Sequence, residues 1–212
     1  MNSCLYDLFQ TREKRNRFAI GLPTAFDMVQ QRMPKGNPAV GILREHVITG
    51  FFVAEFGEDK VITPERGNER SYDVILCGQE LSVKTRTGDG GVKILWTVDT
   101  EQVEHEINEG YKPEHDILLV NIFWGLNKDS VFYIPLSAQE AVLDNIGRER
   151  YLSSATGTNN RGIEIRGRAI SALKAHSDSY SFSINWVTAN INYPSPWQEW
   201  KDYWNQGEYL VG

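Results

Sequence analysis

Along this chain, apolar positions alternate between stretches with helical spacing and short dense runs of strand type. Residues 4–20 predict a first helix, with Leu5, Leu8 and Phe9 on its apolar side and a basic stretch after them. Gly21, Pro23, Pro34 and Gly36 break residues 21–37, leaving room for a short helix over 24–32. Asn37 then suits an N-cap and Pro38 a first helical position. Val40, Leu43, Val47, Phe51 and Ala54 continue at helical spacing, with Glu45 among them and Gly57 as the stop. Residues 72–76 and 81–87 predict two strands joined by a turn at Cys77-Gly78-Gln79-Glu80. A glycine-rich turn (87–91) and a third strand (92–98) follow. An acidic helix over 100–110, capped by Asp99 or Thr100, ends at Gly110. Residues 117–124 read as one apolar run, which predicts a strand buried on both faces. Beyond it the pattern predicts a strand (131–134), a helix (137–146) stopped by Gly147 and a polar loop (153–162). A short helix (168–176), a strand (180–186) and an aromatic C-terminal segment complete the chain. Strands mixed with crossover helices predict an α/β fold, a mixed β-sheet flanked by helices.

With 212 residues, 41% of them hydrophobic, and no internal repeat or linker-like tract, the pattern predicts a single domain over 1–212. No run approaches a membrane span, and the N-terminus lacks a secretory signature, so a cytoplasmic location and no membrane partner are expected. Cys4 and Cys77 fit neither a disulfide framework nor a zinc site and are expected to be separate reduced thiols. The net charge of −6 argues mildly against a nucleic-acid partner. The charge is uneven, however. Residues 99–116 hold seven acids against Lys112, whereas 148–174 hold Arg148, Arg150, Arg161, Arg166, Arg168 and Lys174 against two glutamates. The N-terminal part adds Arg12, Lys14, Arg15, Arg17, Arg32, Lys35 and Arg44, which permits one positive face on a negative protein.

The chemistry concentrates in the predicted hairpin. Asp73 opens one strand and Lys84 lies on the next, both where the hairpin frays into solvent. A carboxylate there can hold Mg²⁺, while an ammonium sits over the attacking water or the phosphate oxygens. This order of elements, with Asp73, Lys84 and the segment Leu81-Ser82-Val83-Lys84-Thr85-Arg86-Thr87-Gly88, resembles the PD-(D/E)xK nuclease superfamily. Its type II restriction endonucleases are the closest subset, and the chain looks like their ThaI type. The resemblance covers roughly residues 37–136, a restriction-endonuclease-like core. It implies Mg²⁺-dependent hydrolysis of double-stranded DNA at a short palindromic site, with Asp73 and Lys84 as catalytic residues. The chain departs from the family pattern at Ser82, where an acid is usual, and at Tyr72, where proline is frequent. Some members take the missing carboxylate from elsewhere; Glu45 is the better candidate here, and Glu80, at the far end of the hairpin, the weaker. Asp73, the Val83 carbonyl and Glu45 would then hold the metal. Ser82 would bind a metal-held water, and Thr85 and Arg86 would touch phosphate.

Base reading is expected from the loop 156–162, through Asn159, Asn160 and Arg161. A second candidate is the segment 30–35, where Arg32 enters the minor groove and Met33 wedges between base steps. A two-fold DNA site predicts a homodimer. The four histidines lack ligand spacing, and Trp197, Trp200 and Trp204 suit a core or dimer contact better than DNA stacking. Gly88-Asp89-Gly90-Gly91 lacks the Lys-Ser/Thr of a phosphate loop. The rival readings are a catalytically inactive DNA-binding module of the same fold, a DNA-repair or junction nuclease, and a generic ligand-binding α/β protein.

Overall fold

Two helices, not one, begin the chain. α1 (Ser3–Gln10) stops at Thr11, whose backbone is extended and whose hydroxyl donates to Asp7 Oδ1 at 2.6 Å. α2 (Arg12–Arg32) then runs straight through Gly21 and Pro23, where the sequence predicts a break. Phe18, Leu22 and Phe26 lie at i, i+4 and i+8 and are buried together. Each such burial stabilises by ~1.5–3 kcal/mol. Together they outweigh the ~3 kcal/mol that an internal proline costs a helix. α3 (Ala39–Phe56) follows Asn37, whose Oδ1 accepts the Ala39 N–H at 2.9 Å, and ends at Gly57 with φ 94°. These are the expected start and stop. The computed structural model describes residues 3–33, 37, 39–64, 72–97, 99–155, 161–188 and 201.

A 3₁₀ turn (Glu58–Lys60) leads to β1 (Val61–Ile62), then β2 (Val74–Leu76) and β3 (Gln79–Thr87). The turn between β2 and β3 is two residues, Cys77 (φ 48°) and Gly78 (φ 77°), not the four expected. Two successive positive φ values match the twist of the flanking strands. β4 (Val92–Leu95) precedes α4 (Thr100–His105), whose cap Asp99 accepts from the Glu101 and Gln102 amides. A π-helical turn (Glu106–Gly110) extends α4 to the expected end. Then come β5 (Asp116–Ile122), β6 (Asn127–Ile134), α5 (Leu136–Ile146), α6 (Arg148–Tyr151), β7 (Leu152–Ser154), β8 (Ile163–Ile165), α7 (Gly167–Ala175) and β9 (Tyr180–Asn185).

The main sheet is mixed, in the order β1-β2-β3-β5-β6-β9. β3 pairs parallel with β5, and every other pair is antiparallel. β5 alternates between two cores. Leu118, Val120 and Ile122 face a cluster built with α1, α2 and α3, while Ile117 and Leu119 face one built with α5 and α7. β4 does not join this sheet. It pairs with β8 in a second, three-stranded sheet with β7. β7 and β8 flank the segment read as a loop over 153–162. Three-residue strands are too short to show a period, so the pattern hides them. Gly162 (φ 93°) is required at this sheet, because a Cβ there would collide with the Leu95 carbonyl oxygen.

The β2–β3 turn also corrects the expectation of two separate thiols. It brings Cys77 against α1, where it is joined to Cys4 as a disulfide with 6.2 Å between the Cα atoms. A partner 73 residues away leaves no local signal in the sequence. Among the described residues no helix is long and apolar enough to cross a membrane. Trp186 closes the first core: it is fully buried, stacks on Phe26 and donates to Ser130 Oγ at 2.8 Å. Trp186→Ala is expected to destabilise the protein by ~3–5 kcal/mol, read as a lower denaturation midpoint in urea.

Candidate active site

β2 is three residues long and β3 nine, so among the described residues β3 has no neighbour on its β2 side beyond Ser82. Asp73 lies at the point where the ladder ends, its amide still donating to the Leu81 carbonyl at 3.0 Å. Its side chain turns back along β3. Oδ2 accepts the Val83 N–H at 2.7 Å, the Lys84 Nζ at 2.9 Å and the Ser82 hydroxyl at 3.2 Å. Three donors from consecutive residues hold one oxygen, while Oδ1 accepts none among the described residues. Ser82 and Lys84 lie two apart on a strand and therefore share a face. The Lys84 and Asp73 side chains are partly exposed, 17% and 27%, so solvent screens their ion pair and its main effect is to fix geometry.

Glu45 approaches this pair from α3, which packs on β3. Its half-buried carboxyl has no hydrogen bond or ion pair among the described residues. Burial pushes its pKa up to about 7, the Asp73 charge adds to the rise, and the Lys84 ammonium opposes it. Its neighbour Arg44 is buried with its guanidinium 5.5 Å from the Phe26 ring centroid, and burial lowers the Arg44 pKa. Glu80 lies elsewhere: its Oε2 is 3.2 Å from His115 Nδ1, and it pairs across the hairpin with Ile75. His115 packs edge-on against Tyr72, the residue before Asp73.

The structure thus brings Asp73, Ser82, Val83 and Lys84 together, with Glu45 close enough to feel their charges. Arg86 departs from its expected place on phosphate. It is buried, donates to Asn121 Oδ1 at 2.7 Å and to the Gly90 carbonyl, and lies 3.7 Å from Asp89. Thr85 alternates to the opposite face from Lys84, its hydroxyl buried without a partner. Arg161 is exposed at the foot of β8, Arg32 is exposed in the last turn of α2, and Met33 is its C-cap. Asn159, Asn160, Trp197, Trp200 and Trp204 lie outside the described residues. The sequence reading missed Asn121. It is the lone polar residue inside an apolar run, fully buried, and it fixes Arg86. That break in the run is the signal that could have found it.

A mixed sheet flanked by helices, with Asp73 and Lys84 joined where β2 ends, has the fold of a restriction endonuclease. The ThaI restriction endonuclease family matches residues 8–206, and the chain belongs to that family as a type II restriction endonuclease. A solved structure of a restriction endonuclease in complex with substrate DNA is 33% identical, with a TM-score of 0.86, over 96% of this chain and 99% of that one. Among curated proteins nothing matches the chain.

Glu45 makes stability depend on pH. The folded protein holds its proton up to about 7, against an ordinary value of 4.5. Stability of the metal-free protein is therefore lost as pH rises from about 4.5 towards 7, and the loss levels off above. Urea unfolding at pH 5 and pH 8 is expected to differ between wild type and Glu45→Gln by ~1–3 kcal/mol. The variant lacks this component of the pH slope.

Proposed function

We propose that this chain is a homodimeric, Mg²⁺-dependent endodeoxyribonuclease that hydrolyses phosphodiester bonds at a short palindromic site in double-stranded DNA. The observation that carries this reading is the Asp73 carboxylate. Its Oδ2 is locked by Val83, Lys84 and Ser82, its Oδ1 accepts nothing among the described residues, and Glu45 is close enough to feel its charge. An open carboxylate oxygen next to a second, unpaired carboxyl is a hard oxygen donor set of the kind Mg²⁺ takes. Among the described residues no three acidic, histidine or cysteine side chains converge. Mg²⁺ suits such a sparse site because it keeps several waters and accepts phosphate oxygens.

Asp73, Glu45 and the Val83 carbonyl would hold the ion. When bound, it supplies positive charge at the phosphate and acidity to water. Lys84 does the rest of the electrostatic work on this chain. Its ammonium, anchored by Asp73, orients the attacking water and offsets the negative charge that builds on phosphate oxygens as the P–O bond breaks. Ser82, held by Asp73, has a hydroxyl lone pair left to position a water. Asn159, Asn160 and Arg161 read base edges from the segment between β7 and β8. Arg32 and Met33 approach from the end of α2. The cytoplasm, where the substrate DNA is found, is the proposed location. Two copies related by a two-fold axis match a palindromic site and cut both strands.

Incubating the protein with genome-sized DNA and Mg²⁺ tests the reading. Discrete fragments with uniform ends are expected, and chelating the metal stops their formation. Random nicking, or cleavage only at branched substrates, would favour a repair or junction nuclease instead. Asp73→Asn and Lys84→Ala are each expected to lower the cleavage rate ~10³-fold or more while leaving duplex binding in place. Cleavage at the normal rate by either variant would remove the site.

A further inference from the structure

Beyond the C-terminal end of β3, three cations from three elements converge on one exposed carboxylate. Asp89, whose side chain is 60% exposed, lies 3.7 Å from Arg86 Nη2 (β3), 3.4 Å from Lys128 Nζ (β6) and 3.9 Å from Lys174 Nζ (α7). All three distances exceed the ~2.7–2.9 Å of a strong charge-assisted hydrogen bond. The carboxylate therefore attracts the lysines without saturating their donors. The lysines are held by aromatic rings as well. Lys128 Nζ sits 4.2 Å from the centroid of Phe123, and Lys174 Nζ 4.4 Å from that of Phe132. Ammonium groups fixed on ring faces lose little freedom when they take up a further ligand. Asp129, which also acts on Lys174, is bonded to the Ser183 hydroxyl at 2.6 Å and the Ser181 hydroxyl at 3.4 Å. With both aspartates counted, Arg86, Lys128 and Lys174 still leave a surplus of positive charge.

The position of this cluster indicates its use. Arg86 follows Lys84 by two residues on the same face of β3, so the cluster begins about 7 Å along the strand from the proposed catalytic lysine. The backbone of Asp89 is itself held from below: the Arg86 guanidinium takes the Gly90 carbonyl, and the Gly88 amide donates to the Ile122 carbonyl at 3.1 Å. The carboxylate thus projects outward from a braced loop, as an anion between two lysines.

We propose that Lys128 and Lys174 form a clamp for a non-scissile backbone phosphate of the DNA, and that Asp89 occupies the clamp until DNA displaces it. This assignment rests on the nuclease reading above. The phosphate replaces a carboxylate at the same two ammonium groups, so binding needs no rearrangement of the sheet. Asp89 also acts against weak, nonspecific engagement, because any bound anion must compete with it.

The test is equilibrium binding of the full chain to a generic DNA duplex, without divalent metal, over a range of salt concentrations. Lys128→Gln and Lys174→Gln remove the charge while leaving a polar side chain, and circular dichroism confirms folding. Each is expected to weaken binding and to flatten the plot of log K against log salt, and the two together by about 0.9, the value of one phosphate contact. Asp89→Asn is expected to tighten binding about fivefold at low salt, the size of one water-screened charge contact. Unchanged salt slopes in both lysine variants, or weaker binding by Asp89→Asn, overturn the clamp while the nuclease reading stands. A wild-type protein that binds no duplex at any salt concentration overturns both.

Discussion

One carboxylate oxygen organises this enzyme. Asp73 Oδ2 takes the Val83 amide, the Lys84 ammonium and the Ser82 hydroxyl at once. Those donors come from three successive residues of one strand, so they form a cradle only if the strand is extended and its β2 neighbour ends at Asp73. The shortness of β2 is therefore a functional dimension. Extending the ladder two pairs, to Tyr72 opposite Val83, would commit the Val83 amide to a backbone partner and take it from Asp73.

The rest of the fold holds this corner still. β3 is fixed by its seven-residue parallel register with β5, and β5 is buried on both faces between two apolar clusters. The two clusters divide the labour. The one under α1, α2 and α3 delivers Glu45 towards Asp73. The one under α5 and α7 carries Lys174, over its Phe132 ring, to Asp89. A strand packed so tightly from both sides moves little, and Lys84 on it keeps its position. The buried Arg86–Asn121 bond extends the same rigidity past the end of β3 and into the loop over 88–91.

Charge is distributed to match. The chain is negative overall, yet Arg86, Lys128 and Lys174 gather around Asp89. Of the acids near them, Asp73 is bound by its own strand, Glu45 is held back from ionising by burial, and Asp89 lies where phosphate can replace it. A DNA-binding protein needs a local surplus of positive charge, not a basic composition, and a pI near 5.3 is no obstacle to that.

Much of this was legible without coordinates. Helical spacing after Asn37, the apolar run over 117–124 and the Asp73–Lys84 pair all follow from local rules of capping, strand burial and hairpin alternation, which depend on near neighbours in the chain. The sequence by itself therefore determined the mixed sheet, its covering helices and the meeting of Asp73 with Lys84. It did not determine features that depend on contacts between distant segments. α2 runs through Gly21 and Pro23 because three aromatic and aliphatic side chains find a core. β4 leaves the main sheet because β8, about 70 residues later, offers it an edge. Cys4 meets Cys77 across the β2–β3 turn, Arg86 turns inward to Asn121, and Asp89 stands between lysines from β6 and α7. Propensity and periodicity read the chain over a few residues, whereas these pairings are set by the packing of whole elements, which only the tertiary structure decides.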